Sequence, residues 1–361
     1  MKKQQKIFFD FLRFCIGAAK EIPVSLKDAD WKELYAIAKK QCLVGVLFDG
    51  IKKLPAEHVG MKKELLLQWM TESQMLEKTN IRLNDAAIHV SEWFRKKGFR
   101  TCILKGQGNA LMYPNPYSRT PGDIDIWVEG GDNRVISFVR SISPHEKACY
   151  HHIEFPSYKG IEVEVHYRPS FLLCFWHNRK LQKYYERVKE EQFSHRVMLG
   201  KEGEVAIPTA EFNVIFQLTH IFSHLMNEGI GLRQLLDYYY VLISDDLLLI
   251  RDRVQKKLKE LGLWKFAGGI MYIMQEVFGM PASQLIIPPN EKYGKFVLNE
   301  VLEAGNFGKH DERYWFGKSK LGHNLQRVYR DIRLVTYFPA EALCEPIFRT
   351  WHFFWRMKNK K

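Results

Sequence analysis

Two short runs in this chain alternate apolar with acidic residues at a period of two, which reads as strand, because on a helix residues two apart do not face each other. In the first run Thr120-Pro121-Gly122 is a turn signal, and Asp123, Ile124, Asp125, Ile126, Trp127 and Val128 follow it. Alternate strand residues stand roughly 6.5 Å apart on one side, so Asp123 and Asp125 share a face. In the second run, residues 160–167, Glu162, Glu164 and His166 share a face in the same way. A solvated edge strand also yields Asp-x-Asp, but paired acids with no cation between them repel. The pattern favours carboxylates converging on one or two cations.

The rest of the chain surrounds these strands with helical spacing. Residues 8–54 read as two or three helices, with a helix start between Ser25 and Trp31. Residues 62–97 read as one long helix, with Leu76, Thr79, Leu83, Ala86, Val90 and Phe94 as its core stripe and Gly98 as its stop. A strand at 100–104, a short helix at 107–113 ended by Pro114, a helix at 133–142 and a strand at 150–155 complete the middle section. Beyond residue 171 strands nearly vanish, with one more at 204–208 and helices at 211–226, 232–243, 247–261 and 263–278. The expected fold is an α/β (α+β) core, a small mixed sheet with helices, flanked by N-terminal and C-terminal α-helical regions. We divide it into an N-terminal helical region at 1–75, a core at 76–208 and a C-terminal helical domain with a basic tail at 209–361. The Gly-, charge- and aromatic-rich stretch at 305–322 is expected as a loop over the active face or a connector.

An ordered set of residues gives the chain a family resemblance. Leu104-Lys105-Gly106, Tyr113-Pro114, Arg119, Gly122-Asp123-Ile124-Asp125, His151-His152 and Glu164-Val165-His166 succeed one another in this order. Trp31 and residues 36–54 precede them, and Gly231 to Asp237 follow. The succession resembles the uncharacterised nucleotidyltransferase family of the DNA polymerase β-like superfamily, over residues 31–242.

That resemblance implies transfer of a nucleoside monophosphate from a nucleoside triphosphate, with pyrophosphate leaving. Two Mg²⁺ ions, or Mn²⁺ in their place, are the implied cofactors, since Mg²⁺ is held by a few carboxylates plus substrate phosphates. Asp123 and Asp125 are the implied metal ligands, and Glu164 the third acid and acceptor of a proton. Glu162 shares the face of Glu164, so the choice between them stays open. Gly106 lets backbone N–H groups approach phosphate at a helix start, and Lys105 and Arg119 offset triphosphate charge. Enzymes of the superfamily commonly carry Gly-Ser or Gly-Gly at this turn, where this chain has Lys105-Gly106-Gln107.

His151 and His152 are adjacent on an expected strand, hence on opposite faces, and His152 is the one assigned to the site. His166 either orients Glu164, contacts substrate or is a core histidine. His220 and His224 have the spacing of helical metal ligands, but no third ligand is evident, and packing is the expectation. Arg233 and Asp237 form a helical ion pair or cover the nucleotide side of the cleft. Tyr238, Tyr239 and Tyr240 are expected to pack.

Charge and cysteine usage narrow the partners and the compartment. The net charge is +13, and residues 313–361 hold 11 Lys+Arg against 3 Asp+Glu. Such a surface suits polyanions, yet there is no RNA-binding motif, so the basic tail is read first as solubilising. The six cysteines form no Cys-x-x-Cys pair, which points to reduced thiols in the cytoplasm. No segment reads as a signal peptide or membrane span. The acceptor is open among a sugar, an antibiotic, a protein side chain and an RNA end. Two competing expectations stand beside the enzyme: a catalytically silent binding or regulatory module of the same fold, and phosphoryl transfer at the same site.

Overall fold

In a computed structural model of the chain, residues 2–200, 203–244, 247–308 and 320–359 are described; residues 309–319 of the expected loop or connector lie outside them. Four helices open the chain: α1 (Lys3–Cys15), α2 (Trp31–Lys40), α3 (Val44–Ile51) and α4 (Lys63–Lys96). Asp30 starts α2 by accepting the N–H groups of Lys32 and Glu33, which would otherwise lack partners. α4 buries Leu83, Ala86, Val90 and Phe94 at helical intervals and stops before Gly98, whose φ of +80° favours glycine. It runs unbroken across residue 75, where the sequence suggested the core begins.

The middle section alternates as the sequence suggests: β1 (Thr101–Ile103), α5 (Gln107–Ala110), β2 (Ile124–Val128), α6 (Gly131–Ile142), β3 (His152–Tyr158) and β4 (Ile161–His166). The strands form one sheet in the order β1-β2-β4-β3. β2 and β4 are parallel, while β1 and β3 pair antiparallel at the two edges, so the sheet is mixed. α5 is a single turn, shorter than the 107–113 helix expected, because the chain turns away before Pro114 and Pro116.

Strand alternation gives the sheet two unlike faces. Ile103, Ile124, Ile126, Val128, Ile153, Val163 and Val165 pack with α4 and α6 into one apolar core. Asp125, Trp127, Glu164 and His166 belong to the other face, by the same period of two. Trp127 closes that face on one side, with its ring 4.7 Å from Phe193 and 5.8 Å from Phe212.

The C-terminal half contributes α7 (Phe175–Ser194), a hairpin of β5 (Arg196–Leu199) and β6 (Gly203–Ala206), then α8 (Ala210–Asn227), α9 (Leu232–Leu242), α10 (Leu247–Glu260), α11 (Trp264–Glu276), α12 (Glu291–Ala304), α13 (Lys320–Val335) and α14 (Pro339–Lys358). A second, larger apolar core joins α1, α2 and α3 to α8, α9 and α11. α7, β5, α12, α13 and α14 are elements for which the sequence suggested no individual range. The buried stripe of α7 is Asn178, Leu181, Tyr184, Tyr185, Gln192 and Phe193, four of the six polar or phenolic, so its apolar periodicity is faint. The basic region is helical in α13 and α14. Among the described residues no helix is long and apolar enough to cross a membrane.

Candidate active site

The acid-bearing face of the sheet is where the site forms. Because β2 and β4 run parallel, Asp125 lies directly opposite Glu164, and Asp123 sits on the turn just before β2. One ligand oxygen from each of Asp123, Asp125 and Glu164 lies within 4.8 Å of the other two. Glu162 is exposed and lines a neighbouring pocket with Thr120 and Arg233. Among the described residues, Glu164 therefore completes the acidic trio and Glu162 does not.

The trio is electrostatically unbalanced in a way that suits a cation. Repulsion from Asp125, then burial, pushes the Asp123 carboxyl up. Burial also opposes ionisation of Asp125, but Lys105 and then His166 outweigh it and hold that carboxyl well below its ordinary range. Glu164 is lowered by His166 against the opposing effects of burial and Asp125. Asp125 Oδ1 takes both partners, Lys105 Nζ at 3.1 Å and His166 Nε2 at 2.9 Å. Asp125 Oδ2 is buried and has no hydrogen-bond partner, a costly state that a divalent cation bound between the trio would relieve. The oxygen-only donor set and the orphaned oxygen fit Mg²⁺ or Mn²⁺.

Lys105 leaves β1 and reaches across the face. Burial depresses its ammonium, but Asp125, Asp123 and Glu164 more than compensate and raise it above its ordinary value. Gly106 follows with φ +63° and ψ −107°, a conformation reserved for glycine, which turns the chain into α5 beside the Asp123 carbonyl. Since α5 has one turn, its dipole is a small anchor for phosphate compared with the Lys105 charge. Lys105, Gly106, Gly122, Asp123 and Asp125 line a narrow cleft, closed on the far side by His220 and Arg233.

Arg119 and Asp237 do not stand as the sequence suggested. The Arg119 guanidinium grips Asp237 through Nε and Nη2, both at 2.8 Å, and Tyr113 donates its hydroxyl to the same carboxylate at 2.7 Å. All three are buried. Of the two residues read together on α9, Asp237 is met bidentately by the Arg119 fork, while Arg233 donates its Nη1 to the Thr120 carbonyl at 3.1 Å. Arg119 and Asp237 thus fasten the turn before β2 to α9, and both line the cleft together with Arg233.

The histidines also depart from expectation. His151 precedes β3 and escapes strand alternation, so both it and His152 approach His166, with ring centroids at 5.3 Å in each case. His152 Nδ1 lies 3.4 Å from Glu164, and burial followed by the His166 charge lowers its pKa to about 4. His166 bridges Asp125 and Glu164, with Nε2 3.5 Å from the latter. Burial pulls its pKa down, yet the hydrogen bonds to Asp125 and Glu164 prevail and hold it at about 9. His220, expected to pack, lies beside Phe216 and also faces the cleft, with Nε2 3.1 Å from Lys105 Nζ and 3.1 Å from His224 Nε2. Its spacing from His224 was the available signal, and Lys105 was the partner that spacing could not show. Tyr238, Tyr239 and Tyr240 pack in the core.

Residues 27–279 match the family described as an uncharacterised nucleotidyltransferase, a span that holds the whole sheet and every residue of the cleft. The chain belongs to that family. A solved structure, an antigenic nucleotidyltransferase-like protein from Paracoccidioides brasiliensis, is similar at 14% identity over 50% of this chain and 90% of that chain, with a TM-score of 0.28. A likeness that distant carries no weight for the site. No curated protein matches the chain.

Proposed function

We propose that this member of the family transfers a nucleoside monophosphate from a nucleoside triphosphate to an acceptor, using Asp123, Asp125 and Glu164 as its metal-binding carboxylates. The single observation that supports this is the convergence of those three side chains around a buried oxygen of Asp125 that lacks a partner. When bound there, Mg²⁺ or Mn²⁺ would neutralise the triphosphate and polarise the reacting oxygens. Lys105 meets phosphate charge from the β1 side, and Arg233 from α9. Gly106 lets the backbone come close to the nucleotide. Glu164, least enclosed of the two acids that His166 bridges, takes the acceptor proton. His166 holds Asp125 and Glu164 in register, and His152 buttresses Glu164 from β3. Arg119 and Asp237 position the turn that carries Asp123. In this reading residues 76–208 are the transferase core, residues 1–75 and 209–361 are its helical flanks, and the unpaired thiols suit a reducing cytoplasm.

One observation favours the catalytically silent alternative. Lys105 and His166 already neutralise Asp125 from within the chain, as a site that has no further need of a cation would.

Both readings are tested by incubating the protein with each α-labelled NTP, Mg²⁺ or Mn²⁺ and a panel of sugar, aminoglycoside, protein and RNA acceptors. Pyrophosphate release with transfer of the α-label, lost in Asp123→Ala, is the expected result. NTP binding by calorimetry without pyrophosphate release would support the binding module. A γ-labelled product would establish phosphoryl transfer instead.

A further inference from the structure

A second group of metal-type side chains lies away from the cleft, where the start of α7 meets the start of α14. Cys174 immediately precedes α7 and His177 lies in its first turn, while Glu341 and Cys344 lie one turn apart on α14. The two pairs read Cys-x-x-His and Glu-x-x-Cys, spacings that put both members of each pair on one side of a helix. Cys174, Glu341 and Cys344 are buried and His177 half-buried.

We propose that Cys174, His177, Glu341 and Cys344 form a four-ligand zinc site that fastens α14 to α7. His177 Nδ1 and Glu341 Oε1 are 3.2 Å apart. Two ligands at zinc-bond length around a tetrahedral ion stand about 3.3 Å apart. One ligand atom from each of Cys174, His177 and Glu341 lies within 4.8 Å of the others. Cys344, buried one turn along α14 from Glu341 and close enough to Cys174 to shift its pKa, lies outside that group and joins it by a change of side-chain rotamer. Glu341 Oε2 is held by the backbone N–H groups of Leu173 at 2.6 Å and Cys174 at 2.9 Å. Those bonds fix the carboxylate with Oε1 toward His177, the outer support that ligating carboxylates characteristically have.

The donor set decides the ion. Two sulfurs, one nitrogen and one oxygen suit zinc and exclude Mg²⁺ as the preferred occupant. Two thiolates and a carboxylate around Zn²⁺ carry net negative charge, which the N-termini of α7 and α14 favour. Burial raises the free Cys174 thiol to about 11, and a thiol that coordinates the ion releases its proton to solvent as it binds. With all four positions taken by protein the site is structural. In the competing account Glu341 merely caps α7 and the thiols are inert packing.

The test uses the full chain, purified with zinc, stripped of loose metal and analysed by elemental mass spectrometry. About one zinc per chain, retained in Cys149→Ser and lost in the Cys174→Ser/Cys344→Ser double variant, is the expected result. So that the result does not depend on the double variant folding, the wild type is also loaded with Co²⁺ after chelation. A thiolate-to-cobalt charge-transfer band with release of about two protons per ion supports the site. Wild-type protein that takes up neither zinc nor cobalt with a thiolate band overturns it.

Discussion

His166 Nε2 lies 2.9 Å from Asp125 Oδ1, while its Nδ1 faces the Arg168 carbonyl at 3.3 Å. Both partners are acceptors, so each ring nitrogen carries a proton and the ring is an imidazolium. That agrees with a pKa held at about 9, against an ordinary value of 6.5. A folded-state pKa raised in this way contributes stability fully below about pH 6.5 and loses it as the pH rises through 9. Urea unfolding at pH 6.5 and pH 9.5 should show a loss on the order of 1–3 kcal/mol in the wild type. In His166→Gln that loss should shrink, and an equal pH dependence in both proteins would refute the imidazolium.

Arg119, Asp237 and Tyr113 form a buried cluster between the turn before β2 and α9. Removing one member leaves a buried charge without its partner, which typically costs about 3–5 kcal/mol. Asp237→Asn should fall in that range, and Tyr113→Phe should lose about 1.5 kcal/mol, the low end for a hydrogen bond to a charged acceptor. Arg119→Lys should also destabilise, because an ammonium cannot reproduce the two-pronged contact. Chemical denaturation of the three variants checks this; values within 0.5 kcal/mol of wild type for Asp237→Asn, about the scatter of surface substitutions, would mean the pair is not a fastening.

Much of this fold was legible because its core strands alternate cleanly and its long helices carry plain apolar stripes. α7 was not, since Asn178, Tyr184, Tyr185 and Gln192 make a stripe that hydropathy hardly registers. Within the site, the nearness of Asp123 to Asp125 is local and could be read directly. The choice of Glu164 over Glu162 depends on the parallel register of β4 against β2, which only the assembled sheet sets. The Arg119–Asp237 pair spans 118 residues, and that of Lys105 with His220 spans 115, so neither leaves a trace in local spacing. His151 escaped because the strand begins at His152, two residues after the start expected at 150.

Gly106 has φ +63° and ψ −107°, outside both helical basins open to other residues. An added Cβ would meet only the Asp123 carbonyl, at an ordinary 3.6 Å, so space is not the obstacle. Gly106→Ala should cost about 1–3 kcal/mol through backbone strain, or relax by moving the turn that links β1 to α5. In the second case stability is spared and the KM for NTP rises while Lys105 is still present. Measuring unfolding midpoints beside NTP affinity separates the two, and a variant unchanged in both would show that the turn is not under constraint.

Asp123 and Asp125 stand two residues apart but should respond oppositely to loss of charge. Asp123 is raised first by Asp125, so Asp123→Asn removes a repulsion and should leave stability equal to or above that of wild type. Asp125 balances Lys105 and His166, so Asp125→Asn leaves two cations facing a neutral amide and should cost about 2–4 kcal/mol. Millimolar Mg²⁺ should raise the wild-type Tm by mass action, since the ion binds the folded trio and not the unfolded chain. That increment should disappear in both variants, along with nucleotidyl transfer, although only one of them is destabilised. Thermal unfolding with Mg²⁺ and with EDTA gives the comparison, and an undiminished Mg²⁺ effect in Asp125→Asn would place the ion somewhere other than these carboxylates.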